Sequence, residues 1–363
     1  MNDALTTAEI LQWLRETDPR RLEELWARAN ETRRRRVGDA VHLRGLIEIS
    51  NRCPRQCAYC GLRAGNTSLV RYRMEPDEIF VAALQARRMG YGTVVLQAGE
   101  DPSITADWMA GLIRQIKSAT PLAVTLSLGE RSDGELEVWR KAGADRYLLR
   151  FETSDRTLFD SIHPGPGGKT SDRLAILRRL KKLGYETGSG IMVGLPGQTC
   201  ESVARDIALF RELDLDMIGI GPFIPHPATP LGNKASDHAD PDQAPNTELM
   251  VYKAVALTRL VCPDANIPAT TALATINKVN GRELGLQRGA NVFMPNLTPL
   301  RYRRLYEIYP AKACMEETGS ACNSCLTLRI GKIGRHIGRG PGGRRDRGAA
   351  PPPVAANQGM CHA

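Results

Sequence analysis

Cys53, Cys57 and Cys60 stand in the run Cys53-Pro-Arg-Gln-Cys57-Ala-Tyr59-Cys60, a C-x3-C-x2-C spacing inside eight residues. Three thiolates this close can ligate three irons of a [4Fe–4S] cluster, because such clusters take cysteine sulfur as ligand. The fourth iron then has no protein ligand and stays open to a small chelating molecule. Two other readings compete. A structural zinc site wants a fourth ligand and usually arrives as paired C-x2-C units. Three unconnected core cysteines have no reason to gather in one loop. The spacing favours the open iron–sulfur site.

A second triplet, Cys314-x7-Cys322-x2-Cys325, comes late in the chain, while Cys200, Cys262 and Cys361 stand alone. The triplet suits an auxiliary [2Fe–2S] or [4Fe–4S] cluster, or zinc with a fourth ligand. Nine cysteines, six of them in two tight triplets, do not read as a disulfide framework in a chain of 363 residues. A reducing cytoplasm is the expected compartment. Met1 to Trp13 has acids and no apolar run, so no secretory leader is expected. No stretch approaches the ~18 uninterrupted apolar residues of a membrane span.

The net charge of +9 invites a nucleic-acid reading, but its distribution argues against one. Residues 331–363 hold +5 of it, through Lys332, Arg335, Arg339, Arg344, Arg345 and Arg347 against Asp346. That segment, rich in glycine and containing Pro351-Pro-Pro353, has the composition of a disordered solvated tail. The Arg33–Arg36 run is expected to cap a helix or face solvent.

The elements that must position these residues alternate. Residues 1–42 read as a helical segment. Apolar runs follow at Leu43–Ile49, Thr93–Gln97, Leu122–Leu128, Arg146–Arg150, Thr187–Val193, Asp216–Ile220, Asn266–Thr270 and Ala290–Met294. Helix-like stretches lie between them, such as Pro76–Met89, Ala106–Ala119, Ser171–Leu183, Glu201–Leu213 and Leu249–Val261. Parallel strands need long crossovers, so the expectation is an α/β fold: a complete (β/α)8 TIM barrel over 43–310. An N-terminal helical extension precedes it. The auxiliary cysteine segment 311–330 and the basic tail 331–363 form a C-terminal extension. In a barrel, chemistry belongs at the strand C-termini, where Gln97-Ala98-Gly99-Glu100-Asp101, Arg150-Phe151-Glu152 and Thr270-Thr271 fall.

The cysteine triplet with Tyr59 resembles the signature of the radical S-adenosylmethionine (radical SAM) enzymes. The resemblance implies that the open iron chelates the SAM amine and carboxylate. An electron from the reduced cluster then cleaves SAM to methionine and a 5′-deoxyadenosyl radical. Ala98-Gly99-Glu100 resembles the Gly-Gly-Glu motif that faces the amine. Arg150 and Arg173 offer guanidinium forks to the carboxylate. Glu152 can accept from the amine or a ribose hydroxyl. The glycine-flanked run Gly190-Ile-Met192-Val-Gly194 lets adenine pack near backbone, at Met192. Ordinary salt bridges and barrel glycines account for these residues equally well.

Longer runs narrow the family. They include Asp39-Ala-Val-His-Leu-Arg44, Val95-Leu-Gln-Ala-Gly-Glu-Asp-Pro102, Met192-Val-Gly-Leu-Pro-Gly-Gln-Thr199 and Ile218-Gly-Ile-Gly-Pro-Phe-Ile-Pro-His-Pro227. From about Val37 to Cys325 the chain resembles HydE, the radical SAM maturase family of [FeFe]-hydrogenase, with biotin synthase and methylornithine synthase in the wider neighbourhood. The resemblance implies work beside HydF and HydG on a small iron–cysteine complex carrying CO and cyanide. It places Thr125, Arg150, Thr270 and Thr271 around an anion or substrate site, Met217 near SAM, and Tyr306 and Tyr309 on the far side. Cys314, Cys322 and Cys325 match an auxiliary site that some members lack. Phe151 stands where the family pattern has histidine, and the tail has no counterpart. A biotin-synthase-like enzyme needs strand-borne cysteines, which are missing. A methylornithine-synthase-like mutase is the open alternative.

Overall fold

The computed structural model describes residues 5–165, 170–232, 241–313, 315 and 319–344, the side chains of 319–324 excepted. Helices α1 (Thr7–Arg15) and α2 (Pro19–Val37) come first. A Thr6–Glu9 capping box starts α1, and Asp18 with Pro19 starts α2. These side-chain oxygens satisfy amides that have no partner within the helix. Leu25 and Trp26 bury the inner face of α2.

Then strands and helices alternate: β1 (Ala40–Ser50), α3 (Pro76–Arg88), β2 (Thr93–Ala98), α4 (Ala106–Ala119), β3 (Ala123–Ser127), α5 (Asp133–Ala142) and β4 (Arg146–Leu148). Next come α6 (Arg156–Ile162), α7 (Arg173–Lys182), β5 (Glu186–Val193), α8 (Cys200–Glu212), β6 (Met217–Pro222) and α9 (Glu248–Val261). The chain continues through α10 (Thr271–Ile276), α11 (Gly281–Gln287), β7 (Val292–Phe293), α12 (Leu300–Arg303), α13 (Gly319–Lys332) and β8 (His336–Ile337).

Neighbouring strands run parallel in the order β6-β5-β4-β3-β2-β1-β7, with β8 beside β1. Residues 266–268 depart from the expected strand Asn266–Thr270. They make only single parallel bridges, Asn266 with Met217 and Pro268 with Val292. Pro268 has no N–H to offer a ladder. Regular pairing therefore gives a curled parallel sheet, and its ladders do not run around a complete eight-stranded barrel. α1 packs on α8 and α2 on α9. Among the described residues no helix is long and apolar enough to cross a membrane.

The expected disordered tail is corrected for residues 331–344. Arg335 is buried and donates to the carbonyls of Asp39, Ala40, Leu286 and Ala290. The strap 338–344 then crosses the N-terminal ends of the strands. There Pro341 O accepts from Thr93 and Arg146, and Gly342 O accepts from Arg44 and Asn266. Ile333 and Ile337 pack against the core, and hydrogen bonds to the strap carbonyls order the rest. Residues 345–363 lie outside the described residues, Cys361 among them. The arginine run does both things expected of it: Arg35 and Arg36 are exposed in the last turn of α2, while Arg33 is buried and donates to the C-cap carbonyl Gly38 O and to Asp39 at 2.6 Å each.

Candidate radical SAM site

The cysteine loop begins where β1 ends, and two side chains fold it. Asn51 donates to Val70 O and Leu305 O at 2.8 Å each and accepts from Tyr72 N at 2.7 Å. Arg71 donates to four carbonyls of the loop, those of Asn51, Leu62, Arg63 and Asn66. Neither role is visible in the sequence.

Cys53, Cys57 and Cys60 line one cavity of about 340 Å³, which runs down through the strands. All are free thiols; Cys57 is buried and the others half-buried. Burial pushes the Cys60 thiol up to about 12, and raises those of Cys53 and Cys57. Arg55, Arg173 and Arg71 favour the thiolates, but burial outweighs them. Metal coordination deprotonates a thiol outright, so the donor set suits a bound cluster.

Glycine is required next to the loop. A Cβ on Gly99 would lie 2.3 Å from Arg52 O and 2.8 Å from Cys53 Cβ. Ala98 ends β2, and Asp101 beyond it accepts from Ser50 at 2.7 Å and from Nε and Nη2 of Arg73 at 2.7 and 3.0 Å. Glu100 pairs with Arg55, and Arg55 reaches on to Glu130 at 2.9 Å. Arg173 donates to Glu130 at 2.9 Å and to Arg150 O at 2.6 Å. The expected carboxylate fork of Arg173 is therefore largely committed to the protein.

Arg150 donates to Ile191 O and lies 3.1 Å from Glu152 Oε2. That contact lacks hydrogen-bond geometry, so Glu152 Oε2 and Arg150 Nε are both buried without a hydrogen bond. Glu152 has φ 63, a left-handed backbone. Strain of this kind costs about 1–3 kcal/mol and gathers at functional sites. Thr125 Oγ1 and Arg55 Nη1 are likewise buried and unpartnered on the same cavity. Buried polar atoms require partners, and a ligand carrying an amine, a carboxylate and hydroxyls provides donors and acceptors for them.

The other predicted residues divide. Tyr59 and Met192 line the upper cavity near Phe223. Phe151 is turned away and packs against Phe210 at 5.6 Å. Met217 is the first residue of β6 and meets Arg44 at 2.8 Å, at the strap end. Met217 lines the same cavity as the three cysteines, and strand direction puts it, as residue one of β6, at the floor. Thr270 is spent as the cap of α10, accepting from Leu273 N and donating to Ile220 O. Thr271 Oγ1 accepts from Arg282 at 3.3 Å, and Tyr306 OH accepts from Gln97 at 3.2 Å. Tyr309 lines the cavity beside them, and burial raises both phenols. Cys314 and the side chain of Cys322 lie outside the described residues, and Cys325 is exposed.

Sequence reasoning missed a buried ion pair on the cavity wall, Glu48 with Lys312, to which Asn296 adds a bond at 3.0 Å. It also missed His163, which touches Cys57. The position of Glu48, two residues before the end of the first strand and facing inward, was a signal; Lys312 and His163 carried none.

The Radical SAM superfamily model matches residues 47–224. The [FeFe] hydrogenase maturase subunit HydE of Thermotoga maritima is 49% identical over 89% of this chain and 89% of its own. A 3-methylornithine synthase of Methanosarcina acetivorans is 29% identical over 75% of this chain and 73% of its own. The crystal structure of methylornithine synthase superposes with a TM-score of 0.80 at 26% identity, covering 93% of this chain and 95% of that one. Such a match over nearly the whole chain, joined to three thiols on one cavity, leads to one conclusion: the chain belongs to the HydE family of radical SAM enzymes, which act in [FeFe]-hydrogenase maturation.

Proposed function

We propose that the cavity below the cysteine loop receives a small iron–cysteine complex bearing CO and cyanide, on the way to the diiron, dithiolate-bridged subcluster of the hydrogenase. The observation that carries this reading is the set of buried polar atoms without a hydrogen bond that line one cavity: Thr125 Oγ1, Arg150 Nε and Glu152 Oε2. When bound, the cluster and SAM supply one-electron cleavage of SAM to methionine and a 5′-deoxyadenosyl radical. Cys53, Cys57 and Cys60 hold the cluster. Ala98, Gly99 and Glu100 face the SAM amine, while Glu152 accepts from the amine or a ribose hydroxyl. Tyr59, Arg173 and Met192 wall the cofactor and exclude water. Thr125, Arg150 and Thr271 offer hydroxyls and a guanidinium to carboxylate or cyanide, and Tyr306 and Tyr309 close the far side. Thr270 takes part through its cap, and Met217 as floor.

Three further readings go with it. The bridges at Asn266 and Pro268 supply the eighth stave of a complete barrel. Cys314, Cys322 and Cys325 hold an auxiliary [2Fe–2S] or [4Fe–4S] cluster. HydF and HydG are the partners, in the cytoplasm.

The test is anaerobic cluster reconstitution, dithionite reduction and addition of SAM. Methionine and 5′-deoxyadenosine are expected. The radical SAM reading fails if none appears, or if Cys57→Ser makes it equally well. Adding the iron–cysteine complex should raise turnover; unchanged turnover rejects the substrate. The 0.80 TM-score favours a methylornithine-type mutase as the second reading, which formation of methylornithine would reveal.

A further inference from the structure

We propose that His163 is a positioning residue that donates a hydrogen bond from Nδ1 to the sulfur of Cys57, and so raises the reduction potential of the cluster held there. The inference rests on the cluster reading above and concerns a residue that no motif singles out.

His163 caps the C-terminal end of α6 and is buried. Its Nδ1 lies 3.0 Å from Cys57 Sγ, and its Nε2 lies 2.7 Å from Arg173 Nη2. A guanidinium only donates hydrogen bonds. Nε2 must therefore present its lone pair to Arg173. The ring proton is left on Nδ1, where the sulfur is. A doubly protonated ring would set N–H against N–H at 2.7 Å. One carboxylate competes for Nε2, that of Glu130 at 3.3 Å. The same Glu130 oxygen already accepts from Ser171 at 2.5 Å and from Arg173 Nε at 2.9 Å. The shorter Arg173 contact decides the tautomer.

The geometry is held from several sides. Glu130 and Arg150 O fix Arg173, and Arg173 fixes His163. Phe159 packs against the imidazole with centroids 5.1 Å apart, and Tyr59 stacks at 6.5 Å. The Tyr59 hydroxyl is 3.4 Å from Nδ1, farther than the sulfur. This is the arrangement in which an outer group sets the orientation of a ligand. An N–H dipole aimed at the sulfur stabilises the extra negative charge that the cluster gains on one-electron reduction. Hydrogen bonds to the sulfurs are among the determinants of cluster potential.

The test uses the full chain, reconstituted anaerobically and without SAM. Redox titration followed by electron paramagnetic resonance reads the midpoint potential of wild type, His163→Leu and His163→Asn. A negative shift is expected in His163→Leu, with return towards wild type in His163→Asn, whose amide restores a donor. Equal midpoints in all three overturn the proposal. If His163→Leu does not load iron, a second measurement decides. In protein made with isotopically labelled histidine, the reduced cluster should show a weak histidine-nitrogen coupling in wild type that is lost in His163→Asn. Absence of that coupling in wild type, or its persistence in His163→Asn, overturns the proposal. A wild-type chain that forms no [4Fe–4S] cluster overturns the cluster reading itself, and this inference with it. A normal cluster with an insensitive potential overturns this inference alone.

Discussion

Arg344 Nη1 donates to Asp216 Oδ1 at 3.0 Å, and the same nitrogen lies 2.8 Å from Asp214. The contact ties the end of the strap to the approach of β6. Arg344→Ala is expected to lower stability by about 1–2 kcal/mol, in the range for removing a partly buried, charge-assisted bond. Ending the chain after Ile337 should cost more, since Arg44, Arg146, Asn266 and Thr93 lose their acceptors at the floor. Thermal unfolding measures both; an unchanged midpoint for the truncation would show the strap to be dispensable.

Gly99→Ala places a methyl group against the backbone of Arg52 and the side chain of Cys53. Neither neighbour is a flexible chain end, so the cysteine loop must move. Iron content after reconstitution should fall, and 5′-deoxyadenosine with it. A variant that loads iron normally would mean the loop has room to adjust.

Thr125→Val should separate folding from substrate handling. The hydroxyl has no partner, so replacing it with a methyl of the same shape is expected to leave stability unchanged or slightly raised. Loss of one ligand hydrogen bond, worth ~1 kcal/mol, should weaken substrate binding roughly 5-fold. Substrate-free SAM cleavage should persist. Equal affinity in the variant would remove Thr125 from the site.

The buried pair Glu48–Lys312 predicts non-additivity. Lys312→Met leaves a buried carboxylate unpaired and should cost about 3–5 kcal/mol. Adding Glu48→Gln should recover much of that loss, because the amide still accepts from Asn296. Denaturant midpoints of the four proteins in the cycle give the coupling.

Asp206 predicts a pH dependence of stability. Burial raises its carboxyl to about 7, against the opposing hydrogen bond from Ser154. Between the ordinary unfolded value near 4 and about 7, the native state holds the proton and the unfolded chain does not. Stability therefore falls as pH rises through that window. Denaturant unfolding at about pH 5 and about pH 8 should show the decline in wild type, by roughly 1–3 kcal/mol. Asp206→Asn mimics the protonated form and should flatten it. The same slope in both proteins would place the titration elsewhere.

The sequence by itself determined what is local. Cys53, Cys57 and Cys60 declare the cluster because ligand spacing is a property of one short loop. The strands show as apolar runs because a parallel sheet is covered on both faces. Gly99 shows because a close backbone approach tolerates no Cβ. Tertiary structure alone decided the partners of these residues. Lys312 meets Glu48 across 264 positions, and Arg335 meets Ala40 across 295. Composition misread residues 331–344, because a segment with only two apolar residues, Ile333 and Ile337, can still be ordered when those two reach the core and its carbonyls meet buried arginines. His163 followed the same rule. Only the packing of α6 beside the cysteine loop gives it a sulfur on one side and a guanidinium on the other, and no spacing along the chain encodes that.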